Sequence, residues 1–239
     1  VEAGTLDKVI NFCHENLAYE KSVKDYLRGR FISDEMISQY RLGAWPRNIY
    51  SLLQVIPAKE LKEAHLLWED HETNREVGKF RNHRLILPIY DVYGTAIGIM
   101  GRCIEDNWKE RGISKYENTR YSKRSHLFGL NLVKENIRKD NKVLITEGTL
   151  DVIKARQHGI DHVVAVLGAS LTKQHVILLS RYTDQIFLCF DNDPAGDLAI
   201  KRATKKLIRP NINIIEKRVP KTYKDLDQYL DCKYHKKEC

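Results

Sequence analysis

Val143-Leu144-Ile145-Thr146-Glu147-Gly148-Thr149-Leu150-Asp151 and, further on, Ile186-Phe187-Leu188-Cys189-Phe190-Asp191-Asn192-Asp193-Pro194-Ala195-Gly196 decide the fold. Each is a short apolar run that ends in acids. Between them, Leu150 to His158 has a helical pattern and closes at Gly159, a suitable C-cap. Val163 to Val166 reads as a strand and Thr172 to Arg181 as a helix. After the second run, Pro194 to Ile208 reads as a helix with proline in its first turn, and Ile212 to Glu216 as a further strand. Apolar strands alternating with helices predict a parallel sheet covered on both faces.

The upstream half has a different rhythm. Thr5 to Glu69 reads as several short helices, punctuated by Gly43, Trp45-Pro46 and Pro57. Ser33 would cap a helix over Asp34 to Tyr40. Arg84 to Tyr90, a turn at Asp91 to Gly94 and a second strand over Thr95 to Cys103 predict a hairpin. The polar stretch from Glu105 to Ser125 is long for a connection, and long loops often carry function. The fold class is therefore mixed α/β. An N-terminal basic α+β subdomain over 1–138 is followed by a Rossmann-like parallel-sheet domain over 139–218. A last segment, 219–239, holds an acidic element and a basic tail.

Composition narrows the function classes. Of 239 residues, 42% are hydrophobic and 30% charged, which excludes disorder as the dominant state. No run approaches the roughly 20 apolar residues of a membrane helix, and Val1-Glu2-Ala3-Gly4 has no signal-peptide core, so no membrane partner is expected. A first residue other than Met points to an excised domain or a processed product. Lys+Arg 40 against Asp+Glu 32 leaves +8, which suits a polyanionic partner such as nucleic acid or nucleotides. Cys13, Cys103 and Cys189 stand alone and read as reduced, mostly buried thiols of a cytoplasmic protein. There is no C-x2-C pair, so no zinc is expected. Cys232, His235 and Cys239 could begin a metal site, but they lack a fourth ligand in a lysine-rich stretch, and a frayed tail is expected there.

In open α/β sheets the working edge lies at the carboxyl ends of the strands. Glu147 and Asp151 follow one strand, Asp191 and Asp193 another, and Asp225 and Asp227 the last. Gathered carboxylates repel one another and call for cations. Oxygen-only ligands favour a hard ion, Mg²⁺ or Mn²⁺, and two such ions can clamp both oxygens of an in-line phosphoryl displacement. The plainer alternative is that these acids cap helices, as Asp191 or Asp193 could before Pro194.

Glu147-Gly148-x-x-Asp151 followed by Asp191-x-Asp193-x-Ala195-Gly196 resembles the TOPRIM domain, shared by bacterial-type primases, topoisomerases and some nucleases. The upstream half chooses among them. Phe80-Arg81-Asn82-His83-Arg84 to Ile89, then Asp91, Gly94, Ile97-Gly98 and Gly101-Arg102, resembles the basic half of the bacterial, DnaG-like primase core. So do Lys115-Tyr116-x-Asn118-Thr119, Leu127-Phe128-Gly129-Leu130 and, further back, Tyr26-Leu27-x-x-Arg30. The resemblance runs from about Thr5 to Leu230.

It implies a DNA primase core, a DNA-directed RNA polymerase and nucleotidyltransferase that makes short RNA primers from ribonucleoside triphosphates on single-stranded DNA. It implies two or more Mg²⁺ or Mn²⁺ ions held by Glu147, Asp151, Asp191, Asp193, Asp225 and Asp227, with Glu147, Asp191 and Asp193 as catalytic residues. Arg81, Arg84, Arg102, Lys115, Asn118 and Lys123 would bind nucleotide and DNA, and Tyr116 and Tyr121 could stack bases. A replicative helicase and a zinc-binding template-recognition domain would lie outside this chain, in a bacterial nucleoid or a phage-infected cell. One departure is Lys224-Asp225-Leu226-Asp227, where many relatives have Asp-Pro-Asp. The rival readings are a TOPRIM nuclease or strand-breaking enzyme, and a non-catalytic nucleic-acid-binding module.

Overall fold

The structure, a computed structural model, describes residues 3–168, 170–206 and 211–235. The chain forms two compact units, Val1–Ile89 with Thr95–Tyr121, and Tyr90–Gly94 with Ser122–Cys239.

The first unit opens with α1 (Ala3–Asn16), α2 (Lys21–Gly29) and α3 (Asp34–Gln39). Ser33 caps α3 as expected, its side chain accepting from the Met36 amide at 3.3 Å. β1 (Gly43–Ala44), α4 (Ile49–Leu53) and α5 (Ala58–Glu63) follow. The helical rhythm expected up to Glu69 ends earlier. β2 (Leu67–Asp70) and β3 (Arg75–Gly78) form an antiparallel ribbon closed by a turn in which Asp70 Oδ1 accepts from the amides of Glu72 and Thr73. β4 (Leu85–Tyr90) and β5 (Ala96–Arg102) form the expected hairpin in a sheet ordered β1-β4-β5-β6. β6 (Tyr116–Asn118) lies inside the stretch read as a loop. Its short polar residues carry no strand pattern, and pairing with β5 fixes them.

The second unit begins with β7 (Leu127–Phe128) and α6 (Leu130–Asp140), then β8 (Val143–Thr146), α7 (Thr149–Gln157), β9 (Val163–Val166), α8 (Lys173–Leu179), β10 (Gln185–Leu188), α9 (Pro194–Lys206), β11 (Asn213–Glu216) and α10 (Leu226–His235). The sheet order is β11-β10-β8-β9-β7. The four longer strands are parallel, and β7 pairs antiparallel with β9. Their core joins Val143, Ile145, Val164, Ile186 and Leu188 of the sheet to Leu130, Val133 and Ile137 of α6. These contacts place residues 122–138 in this unit, so the chain divides after Tyr121 rather than at 138. Residues 219–235 belong here too, because α10 packs on α7. The chain remains helical to His235 instead of fraying. Tyr234 stacks on His158 with ring centroids 4.0 Å apart, while Cys239 lies outside the described residues, as does the expected end of α9 at Ile208. Cys13, Cys103 and Cys189 are free and buried, as expected.

Candidate active site

β8 is the topological switch point of the sheet. The chain leaves it through α7 to β9 on one side and returns through α8 to β10 on the other. A doubly wound sheet opens its ligand crevice there. The register Leu188↔Ile145 sets the Glu147 and Asp191 loops side by side, and the Asp191 amide faces Glu147 Oε1 at 3.4 Å. Burial raises the pKa of the half-buried Glu147 carboxyl. The charges of Asp191 and Asp193 raise it further, against the Asp191 amide and Arg218. Asp193 caps α9 with one carboxylate oxygen, which accepts from the Gly196 amide at 2.8 Å. Gly196 is needed because a Cβ there would stand 2.3 Å from the Asp191 carbonyl oxygen. The Asp-x-Asp-x-Ala-Gly run is thus a tight loop that turns both acids to the sheet edge.

Two residues that the sequence reading missed hold this loop. Asn192 Nδ2 donates to the carbonyls of Val219 at 3.2 Å and Tyr223 at 2.8 Å, and the Asn192 amide donates to Lys224 O at 2.7 Å. That brings up the segment bearing Asp225, which caps α10 through the Gln228 amide at 2.8 Å. Arg218 donates to the Asp191 carbonyl at 3.2 Å, to Asp197 at 2.6 Å and to Glu216 at 2.6 Å. An amide between two acids was a usable signal for Asn192. Arg218, just past an apolar strand, carried none.

The six acids do not form one cluster. Asp151 is buried in the first turn of α7, where its charge helps burial push the Cys189 thiol up to about 11. Asp227 lies on α10, 2.6 Å from Lys154 Nζ of α7. Among the described residues, no group of three or more His, Cys, Asp or Glu side chains is gathered tightly enough to hold an ion as it stands. The donor set nevertheless suits a hard cation. It is all oxygen, and Glu147, Asp191 and Asp193 are close enough for their charges to oppose ionisation of Glu147, a repulsion that a divalent ion relieves. Beside them is a cavity of about 460 Å³ lined by Glu147, Gly168, Ser170, Phe190 and Arg202. Lys123 Nζ reaches to 3.8 Å from where a side chain on Gly168 would begin. The Lys123 carbonyl is held by His175 Nε2 at 3.1 Å.

In the first unit the predicted basic residues divide. Arg81 is exposed and lines a cavity of about 360 Å³ with Arg47 and Arg75. Lys115 is exposed. Arg84, expected to bind nucleic acid, is instead engaged internally: it pairs with Glu20 at 2.6 Å and donates to the Trp45 carbonyl at 3.0 Å. Arg102 is 8% exposed, donating to the hydroxyls of Tyr26, at 2.6 Å, and Tyr116. Both placements have one cause: a guanidinium that loses water fills its donor fork from nearby protein atoms. Asn118 accepts from Tyr121 at 2.7 Å, and the Tyr121 ring packs against Gly98, which makes that ring a packing element.

Residues 12–134 match the family model described as the DNA primase catalytic core, N-terminal domain, and residues 144–230 match a Toprim-like model. The chain belongs to the DnaG-type DNA primase family. A DNA primase of Legionella pneumophila is 32% identical over 211 residues, which cover 87% of this chain and 36% of that protein. The chain therefore spans about a third of the length of that primase relative. Among solved structures, the Aquifex aeolicus primase, comprising zinc-binding and RNA polymerase domains, superposes with a TM-score of 0.84 at 27% identity, covering 97% of this chain and 57% of that one. A DnaG primase catalytic domain bound to single-stranded DNA gives a TM-score of 0.78 at 27% identity, covering 97% of this chain and 76% of that one. Both are similar in fold to this DnaG-type core.

Proposed function

We propose that this chain is the catalytic core of a primase, joining ribonucleotides on a single-stranded DNA template by metal-dependent nucleotidyl transfer. One observation carries the reading: in a member of the primase family, Glu147, Asp191 and Asp193 leave adjacent parallel strands at the switch point of the sheet. In each step a 3′-hydroxyl attacks an α-phosphate and pyrophosphate leaves. Glu147, Asp191, Asp193 and Asp225 would hold Mg²⁺ or Mn²⁺, which when bound supplies charge neutralisation at the phosphate oxygens. Glu147, beside the Asp191 amide at the sheet edge, is placed to orient the attacking hydroxyl. Lys123 and Arg202 serve the triphosphate beside the acids. Arg81 and Lys115 serve the phosphodiester backbone, since exposed cations contribute most of the affinity for single strands. Asn118 offers its amide donors to a nucleotide. A replicative helicase and a zinc-binding template-recognition domain are partners outside this chain, in the cytoplasm.

Primer synthesis tests the proposal. The chain is incubated with single-stranded DNA, ribonucleotides and Mg²⁺ or Mn²⁺, and new RNA and surviving template are resolved on one gel. Asp193→Asn should lower RNA yield on the order of 10³-fold. Its amide oxygen can still cap α9, so the fold should persist. Shortened template in place of RNA would sink the proposal and leave a nuclease.

A further inference from the structure

Lys154 is fully buried, in a helix whose neighbouring Val152, Ile153 and Ala155 are buried apolar residues. A lysine in that setting needs counter-charges and acceptors for its N–H groups. It finds them on α10. Its Nζ lies 2.6 Å from Asp227 Oδ1 and also pairs with Asp231. Asp227 is 7% exposed and Asp231 5%, one turn apart on the helix face that meets α7. Asp225, two residues before Asp227, stands instead on the loop that Asn192 ties to Asp191. The two acids of the final acidic element therefore stand in different environments, one capping α10 on the loop tied to Asn192 and one in the interior.

We propose that Asp227 is not a metal ligand in this chain. The Lys154 ammonium is its resident cation, and the Lys154–Asp227–Asp231 triad is a positioning device that clamps α10 to α7. The inference deepens the reading of the acid edge and rests on it. The divalent ion is left to Glu147, Asp191, Asp193 and Asp225, and α10 keeps its place whether or not that ion is bound. The clamp also steadies α7, whose first turn carries Asp151 beside the Glu147 loop.

Mn²⁺ binding by electron paramagnetic resonance, with no nucleotide present, and thermal unfolding decide it. Asp227→Asn should keep the Mn²⁺ Kd within about twofold, whereas Asp191→Asn should raise it about tenfold or more. Lys154→Met leaves two buried carboxylates without their cation and should lower Tm by about 10 °C. Should the single variants fail to fold, the apolar replacement Lys154→Met/Asp227→Leu/Asp231→Leu removes all three charges together. It should fold and bind Mn²⁺ like the parent. The proposal is overturned if folded Asp227→Asn or the triple variant loses Mn²⁺ as Asp191→Asn does, or if Lys154→Met melts with the parent. If Asp191→Asn binds Mn²⁺ normally, the acid-edge reading fails instead, and the melting of Lys154→Met still decides the clamp.

Discussion

The inner arginines of the first unit and the acid edge of the second treat charge in opposite ways. In the first, the arginines nearest the core have taken partners from their own unit: Arg84 pairs with Glu20 and the Trp45 carbonyl, and Arg102 lies between Tyr26 and Tyr116. In the second, Glu147, Asp191 and Asp193 are brought together at the ends of β8 and β10, where their charges oppose one another. The first arrangement is stable as it stands. The second costs stability, which the fold meets through backbone donors such as the Gly196 amide and through the Asn192 bonds. Charge that is satisfied internally serves folding, while charge held against its own kind is available to a ligand.

The sharpest way to break that contrast is to test an arginine assigned to folding. Arg84→Met leaves the half-buried Glu20 with only Arg47, whose Nε is 3.7 Å away and whose amide donates to it, and should cost about 1–3 kcal/mol, read as a lower urea midpoint. Adding Glu20→Gln should recover part of the loss. A variant that melts like the parent but binds single-stranded DNA poorly would return Arg84 to the nucleic-acid surface.

A smaller effect is expected at the exposed cations. Lys115→Ala should leave Tm nearly unchanged while weakening single-stranded DNA binding. The slope of log Kobs against log[salt] should shrink by about 0.7, the share of one released counterion. An unchanged slope would make Lys115 a solvated surface charge.

The smallest effect is a pH dependence in the second unit, where the Lys123 backbone is held by His175. His175 caps α8 with Thr172 and holds the Lys123 carbonyl. Burial lowers its pKa below the usual 6.5, with neighbouring His126 adding repulsion while backbone bonds to Lys123 and His126 oppose the shift. The unfolded chain then binds more protons than the folded one. The contribution is full above about pH 6.5 and is lost as pH falls through the lower folded value. Unfolding midpoints measured from pH 7.5 to 5 should therefore fall with acid, and His175→Gln should flatten the fall. An equal fall in the variant would assign it to His126, His158 or His162, whose pKa values burial also lowers.

Strands β8 and β9, the helices after them and the Ser33 cap were legible in the chain, because period, apolar run length and capping are local properties. The first two acid motifs were legible as well, since Glu147 and Asp191 stand within three residues of the ends of β8 and β10; Asp225 and Asp227, well past β11, form no such junction. β6, β7 and the β2–β3 ribbon were not read as strands, being short pieces that only a partner makes into strands. The sequence by itself determined the alternation that builds the parallel sheet and the residues delivered to its edge. Only the tertiary structure decided which charges remain at that edge. Lys154 meets Asp227 and Asp231 across 73 and 77 positions of chain, and Arg84 meets Glu20 across 64. Once water is removed, a charge is settled by whichever group packing brings within a few ångströms, and no local pattern records that choice.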